Sequence, residues 1–228
     1  MSGRGTPPGR QRRRAGGPDR PGWGGISFSK REVRDLVVAW LALGVAFTIF
    51  INPTIADAVL RAAIAPSTLA LAVGVSLATV GVAFLLHELA HKVVAVRFGQ
   101  VAAFQADYGM LFLAVMSALA GFLFAAPGAV VHRGRITARE NGLIALAGPV
   151  TNLLLAAVFL PAMLFGPGLL GLVGQRGVSI NLLLAGFNMI PYGPLDGKKV
   201  IGWSKPVYLG VAVPSVLLAV WALFGLGL

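Results

Sequence analysis

Residues 82–98 read VAFLLHELAHKVVAVRF. The segment is apolar along most of its length, yet its middle carries four polar residues, His87, Glu88, His91 and Lys92. The chain around it is 57% hydrophobic and only 12% charged, against about 25% charged residues in ordinary soluble domains. The composition therefore predicts a polytopic membrane protein in a lipid bilayer rather than a water-soluble domain.

Uncharged apolar runs set the number of membrane spans. A helix needs about 20 apolar residues to cross a bilayer, and the run 141–175 is too long for one span, so we divide it at Gly166-Pro167-Gly168. We expect an all-α polytopic membrane protein with about five to six transmembrane helices and a short external connection over 53–68. The predicted spans are Leu36–Ile51, Leu69–Phe98, Asn141–Phe165, 177–195 and 206–228.

The segment between the second and third spans has a different pattern. Residues 101–107 are few and carry no helix start or stop signal, which is typical of a short strand. Gly109, Gly121 and Pro127 then interrupt the apolar run 108–131. If this run returns to the side that it left, all but two of the basic residues collect on one side of the membrane. The positive-inside rule therefore favours five full spans with a re-entrant element after the second span.

The amino-terminal residues differ from the rest in composition. The chain has a net charge of +11, to which residues 1–35 contribute strongly through Arg12, Arg13 and Arg14 among others. A segment so rich in Gly, Pro and Arg buries too little apolar surface to fold, so we expect a disordered basic cytoplasmic tail over 1–35 and an integral membrane domain over 36–228. We favour a topology signal over contact with anionic lipids for this tail, and expect no nucleic-acid partner.

His87-Glu88-Leu89-Ala90-His91 is an HExxH motif on the second predicted span. Residues four apart lie on one face of a helix, so the two histidines can present both imidazoles to one metal ion. Glu88 can then take a proton from water and pass it to the leaving amine. Ionised groups at membrane depth cost about 2.5 kcal/mol or more each, which favours a functional site over a chance match.

A catalytic zinc site of this kind needs a third protein ligand. The chain has no cysteine, so a Cys-ligated zinc module, a disulfide scaffold and a thiol nucleophile are excluded. The candidates after His91 are Asp107, His132, Glu140 and Asp196. Topology favours Asp196, because five spans would end its helix and the HExxH helix on the same side of the membrane. We expect the centre toward the cytoplasmic side.

Two further motifs accompany HExxH. They are A-G-P-V-T-N at Ala147–Asn152 and N-M-I-P-Y-G-P-L-D-G at Asn188–Gly197. Together the three motifs resemble those of the site-2 protease family of intramembrane zinc metalloproteases, over a catalytic core of about residues 69–200. The resemblance implies hydrolysis of peptide bonds within or near the transmembrane segments of other membrane proteins.

The resemblance also implies roles for individual residues. The two histidines of the motif and Asp196 would bind one catalytic Zn²⁺, and Glu88 would be the catalytic acid and base. Asn152 and Asn188 are candidates for holding the substrate backbone or the oxyanion. Hydrogen bonding between helices is the alternative for both asparagines.

An edge strand for the substrate is the last expectation. A membrane helix satisfies its own backbone groups, so a protease must unwind it and offer replacement hydrogen bonds. We hypothesise that 101–107 supplies this edge. The alternative function is a non-proteolytic membrane metal-binding protein or transporter. We find no inverted repeat in the sequence, and metal binding alone would not need Glu88. A rhomboid-type serine protease would need a Gly-x-Ser-Gly motif, which the sequence lacks.

Overall fold

The computed structural model describes residues 25–124 and 127–226, most of them helical. The elements are α1 (Lys30–Ile51), α2 (Pro53–Leu60), α3 (Pro66–Ser76), a π turn (Leu77–Gly81), α4 (Val82–Arg97), β1 (Val101–Ala106), α5 (Tyr108–Leu119), β2 (Gly128–Arg133), α6 (Ala138–Phe165), α7 (Gly168–Asn188), α8 (Asp196–Trp203) and α9 (Lys205–Gly225). Within the described residues, five helices are long and apolar enough to cross a membrane: α1, the continuous α3–α4 helix, α6, α7 and α9. The predicted all-α polytopic fold is confirmed.

The first helix begins earlier than predicted. Ser29 caps α1 by accepting a hydrogen bond from the Glu32 amide at 3.1 Å, and Glu32 and Asp35 are both buried. Residues 30–35, which we assigned to the disordered tail, therefore belong to α1. Composition could not show this, because these carboxylates gain partners only in the folded chain. The part of the tail prediction that concerns residues 1–24 lies outside the described residues.

The second span is one continuous helix of 32 residues, Pro66–Arg97. The π turn at Leu77–Gly81 lies in its middle, and the Trp40 indole Nε1 donates to a carbonyl of this turn at 3.1 Å. A Cβ at Gly81 would overlap the Trp40 ring, so glycine allows α1 to approach here. The span thus has an interruption that its uniform hydropathy does not reveal.

The segment after α4 forms a hairpin of strands around a short helix. β1 and β2 pair antiparallel, with Val101 opposite Arg133 and Ala106 opposite Gly128. The helix between them, α5, has 12 residues and is about 18 Å long, which is shorter than the roughly 30 Å of a bilayer core. The predicted strand over 101–107 is confirmed, and β2 is a second strand that the sequence did not predict. Because the two strands pair, the chain returns to the side that it left.

The chain before Asp196 departs from the prediction. We expected a helix over 177–195 running up to this residue, but α7 ends at Asn188, and Asp196 begins the separate short helix α8. Pro191 and Pro194 explain the difference, because proline lacks a backbone donor and clashes with the preceding helical turn. Asp196 is therefore presented by a loop and a new helix.

Close packing brings the site-bearing helices together. α6 contacts α4, α7 and α8, and α7 also contacts α9. Glycines make some of these contacts: a Cβ at Gly177 would overlap the Phe159 ring, and one at Gly186 would lie 2.9 Å from the Ser215 carbonyl oxygen. Small residues at crossing points allow membrane helices to approach closely. At Gly142, where a Cβ would overlap the Trp203 side chain, α6 likewise lies against α8, and it also packs on α4.

Candidate metal centre

Three side chains from two distant parts of the chain meet inside the helix bundle. His87 and His91 lie one turn apart on α4, and Asp196 is the first residue of α8. The Nε2 atoms of the two histidines are 3.0 Å apart. Asp196 Oδ2 lies 3.3 Å from Nε2 of His87 and 3.1 Å from Nε2 of His91. All three side chains are buried, so they form an enclosed group of potential metal ligands.

The triangle formed by these atoms has the dimensions of a tetrahedral zinc site. With zinc–nitrogen and zinc–oxygen distances of 2.0–2.1 Å, neighbouring ligand atoms of a tetrahedron lie about 3.3 Å apart. The observed separations are 3.0, 3.1 and 3.3 Å. Within the described chain Asp196 Oδ2 lacks a hydrogen-bond partner, so it is available to a metal. The residues fit zinc, and three protein ligands leave a fourth position open.

The far side of each imidazole is fixed by α6. His87 Nδ1 lies 2.6 Å from Asn152 Oδ1, and His91 Nδ1 lies 2.7 Å from the Ile144 carbonyl oxygen. Both partners are acceptors, so both Nδ1 atoms carry the proton and both Nε2 lone pairs face Asp196. Such hydrogen bonds orient histidine ligands in metal sites and select their tautomer.

Two glycines allow the ligands to meet. A Cβ at Gly148 would lie 2.5 Å from Nε2 of both His87 and His91, so only glycine leaves space on α6 beside the ligand atoms. A Cβ at Gly197 would lie 2.9 Å from the Ile190 carbonyl oxygen and closer still to that of Met189. These contacts give a physical reason for the glycines in the A-G-P-V-T-N and P-L-D-G motifs.

Glu88 is adjacent to the metal ligands. It is buried, and its Oε2 has no hydrogen-bond partner among the residues that the structure describes. The groups around it are His87, Asp196, Lys199 and the backbone amide of Val130 on β2. A buried carboxylate oxygen without a hydrogen-bond partner is costly to maintain, which favours a role toward a reacting molecule. Its carboxylate can accept a proton from water and release it again.

Comparisons with known proteins agree with this chemistry. A Methanocaldococcus jannaschii protein named as a zinc metalloprotease is 39% identical over 201 residues, which are 86% of this chain and 97% of that relative. The chain belongs to a family of zinc metalloproteases. A Bacillus subtilis relative with the same designation is 34% identical over 143 residues, 54% of this chain and 65% of its own length. A Mycobacterium tuberculosis relative, again so named, is 34% identical over 122 residues, 51% of this chain and 27% of its own length. No family model and no solved structure matches the chain.

The other candidates for the third zinc ligand are not members of this group of three side chains. Asp107 caps α5, accepting from the Met110 amide, and Glu140 forms a capping box with Thr137 at the start of α6. His132 is on β2 and is not a member of the ligand group. Its pKa is lowered by burial and by the nearby positive charge of Lys199.

Asp196 also contacts a lysine. Its other oxygen, Oδ1, lies 3.5 Å from Lys199 Nζ. One oxygen of Asp196 therefore faces the histidines and the other faces a lysine.

The two asparagines with predicted substrate contacts are placed differently. Asn152 is fully buried, accepts from His87, and donates to the Asn181 side chain at 2.9 Å and to the Ala83 carbonyl at 3.3 Å. Its polar atoms thus form hydrogen bonds between helices, which favours the interhelical alternative for Asn152 over substrate binding. Asn188 lies at the end of α7 and donates to the Leu184 carbonyl within its own helix.

The structure does not favour the hypothesis that β1 offers an edge to the substrate. Two amides of its outer edge are already paired, Phe104 with the Glu32 carboxylate at 3.1 Å and Ala106 with the Asp35 carboxylate at 3.4 Å. Among residues 25–124 and 127–226, the outer edge of β2 has no strand partner. Val130 lies opposite Phe104, so its amide also faces away from the hairpin, toward Glu88.

A buried ion pair beside the candidate metal ligands was not predicted from the sequence. Lys92 follows His91 directly, and its Nζ lies 2.6 Å from both carboxylate oxygens of Glu32 and 2.6 Å from the Ser27 carbonyl oxygen. The Phe28 ring lies 3.7 Å from the same ammonium group. The signal was a cation inside an apolar helix and an acid beside the first apolar run. Glu32 thereby links the ligand helix to β1.

Proposed function

We propose that this metalloprotease is an intramembrane protease of the site-2 protease type, which hydrolyses peptide bonds within or near the transmembrane segments of other membrane proteins. The observation that carries the proposal is the depth of the ligands. His87 and His91 lie ten and six residues before the end of the apolar helix Pro66–Arg97, or about 15 and 9 Å along its axis. A bond cleaved there would lie inside the bilayer.

Each residue of the centre would have a distinct role in hydrolysis. When bound, zinc supplies a Lewis acid that polarises the scissile carbonyl and makes water more acidic. His87, His91 and Asp196 would hold it, with the histidines oriented from α6. Glu88 takes a proton from the attacking water on its carboxylate and delivers it to the nitrogen of the leaving amine.

The outer edge of β2 is suited to receive an unwound substrate. The backbone groups of Val130 and His132 face away from β1, because their partners Phe104 and Ala102 lie in non-bonded positions of the hairpin. An extended peptide could pair with these groups and so replace the hydrogen bonds that it loses on unwinding. Because the Val130 amide is directed at Glu88, the peptide would pair with the Val130 carbonyl and with the backbone groups of His132, and it would pass the catalytic carboxylate.

Water would reach the centre from the end of the bundle where α4 stops. Asp196 is buried, but Lys199, which contacts it, has 44% of its side chain exposed. Arg97 ends α4 and Arg133 ends β2 at the same end of the molecule. Under the positive-inside rule this basic rim would face the cytoplasm, with the amino terminus on the same side.

The test is co-expression of the metalloprotease with candidate single-span membrane substrates. Wild type is expected to release shortened products, and Glu88→Gln to release none while keeping its zinc. Asp57→Asn is the matched control, because Asp57 is an exposed acid on α2 that pairs with Arg61. Cleavage that persists in Glu88→Gln would overturn the mechanism. A metal-binding protein without protease activity would leave the substrates intact in every variant.

A further inference from the structure

A second pocket, apolar over most of its lining but containing an arginine, lies at the end of the molecule opposite the metal centre. It has a volume of about 170 Å³ and is formed by the end of α1, by α3 with the π turn, and by α7. Thr79, one of its residues, lies eight residues before His87 on the same helix, or about 12 Å along the axis. The polar residues of the lining are Asn52, Thr68, Ser76, Thr79 and Arg176.

Arg176 is the charged group of this pocket. It is half-buried on α7, and its Nη1 atom is buried with no hydrogen-bond partner in the described part of the chain. Arg61, at the same end of the molecule, has 73% of its side chain exposed and pairs with Asp57 at 3.0 Å. Arg176 therefore differs from a surface arginine, because one nitrogen of its guanidinium is buried and has no acid beside it among the described residues.

No carboxylate of the described chain neutralises Arg176. All the acidic residues described have other partners or positions. They are Glu32 with Lys92, Asp35 with Tyr108, Asp57 with Arg61, Glu88 and Asp196 at the metal centre, and Asp107 and Glu140 as helix caps. A guanidinium nitrogen that is buried without a partner is unfavourable, and an anion bound beside it would remove this cost. Such an anion would come from outside the described chain.

We propose that this pocket binds the phosphate group of a phospholipid. Guanidinium groups bind phosphate oxygens through parallel hydrogen bonds, and hydroxyl and amide groups such as those of Thr68 and Asn52 can complete the set. The pocket is smaller than the roughly 300–1,000 Å³ of sites that enclose whole small molecules. It suits a headgroup phosphate, while the exposed leucines at its rim, Leu71 and Leu172, suit acyl chains.

The test measures the thermal unfolding midpoint of the full-length protein in a neutral detergent. The added probes are dioleoylphosphatidylglycerol, dioleoylglycerol, which has the same chains without phosphate, and inorganic phosphate. We expect the phosphatidylglycerol to raise the midpoint of wild type by several degrees and the other two to leave it unchanged. Arg176→Gln should lose the shift, Arg176→Lys should keep part of it, and Arg61→Gln should keep all of it.

Each arm of this experiment has a decisive outcome. An equal shift with dioleoylglycerol would show acyl-chain binding and overturn the proposal. A full shift with inorganic phosphate alone would replace the lipid by a free anion. An undiminished shift in Arg176→Gln would exclude Arg176 as the binding group. If Arg176→Gln does not fold, Ala72→Leu keeps the arginine, fills the pocket that Ala72 lines, and must abolish the shift.

Discussion

Nδ1 of His87 on α4 and Oδ1 of Asn152 on α6 are 2.6 Å apart, so a residue from a different span orients a proposed metal ligand. Removing such a partner lowers metal affinity by roughly 10–100-fold. Asn152→Ala is therefore expected to weaken zinc binding by this amount, measured by competition with a chromophoric chelator. Asn188→Ala, whose amide bonds only within α7, is the control for loss of an asparagine. Unchanged zinc affinity in Asn152→Ala would contradict the orienting role.

Gly148→Ala tests the space beside the ligands. The added methyl group would lie 2.5 Å from the Nε2 atoms of His87 and His91, so we expect zinc to be lost even though no ligand is changed. Gly210→Ala is the matched control, because a Cβ at Gly210 meets nothing within 4 Å. Zinc content per protein molecule, measured by elemental analysis, gives the result. A variant at position 148 with full zinc content would show that the helices move apart easily.

The buried pair between Lys92 and Glu32 predicts a non-additive pattern of stability. Truncating one partner of a buried ion pair costs about 3–5 kcal/mol, because the other charge is left unpaired. We expect Lys92→Met and Glu32→Gln each to lower the unfolding free energy by about this much, and the double variant to lower it by less than their sum. Chemical unfolding in detergent measures this. Strict additivity would mean that the pair contributes no coupling energy.

Proline on the outer edge of β2 should impair cleavage without removing zinc. His132→Pro deletes an amide that faces away from the hairpin, a position where a strand tolerates proline. His132→Ala is the control, because it removes the same side chain and keeps the amide. Cleavage and zinc content are measured on the same preparations. Equal turnover by His132→Pro and His132→Ala would rule out substrate pairing at this edge.

Removal of zinc should destabilise the fold. His87, His91 and Asp196 are buried polar groups that converge on one point, and a ligand present at 1,000 times its Kd stabilises the native state by about 4 kcal/mol. Chelation should lower the Tm and added zinc should restore it. Asp196→Asn should show a smaller difference. A Tm unaffected by complete loss of zinc would mean that the ion does not contribute to folding.

Local patterns in the sequence were sufficient for much of the fold. The apolar runs gave the spans, and the four-residue spacing of His87 and His91 placed both on one helix face. The strand over 101–107 was visible because it stands between stronger helical signals. β2 was not, since Gly128–Arg133 overlaps the end of an apolar run and acquires its strand character from pairing with β1.

Features that depend on tertiary contacts could not be predicted. Glu32 and Lys92 are 60 residues apart, and Asn152 and His87 are 65 apart. A cation inside an apolar helix marks Lys92 as unusual, but nothing in the local sequence identifies Glu32 as its partner. Local sequence also does not distinguish an asparagine that orients a histidine from one that binds substrate. The pairing of two β1 amides could not be predicted for the same reason, because the carboxylates that accept from them belong to α1.

The π turn at Leu77–Gly81 has a consequence for the length of the second span. A π turn contains more residues per turn than an α-helical one, so the removal of one residue inside it can be absorbed by a return to α-helical winding. In the α-helical stretch 82–86, by contrast, removing one residue would rotate His87 and His91 by about 100° relative to the preceding helix. The two histidines would then point away from Asp196, although the hydropathy of the span would hardly change. A single-residue deletion in 82–86 should therefore be far more damaging than one within Leu77–Gly81.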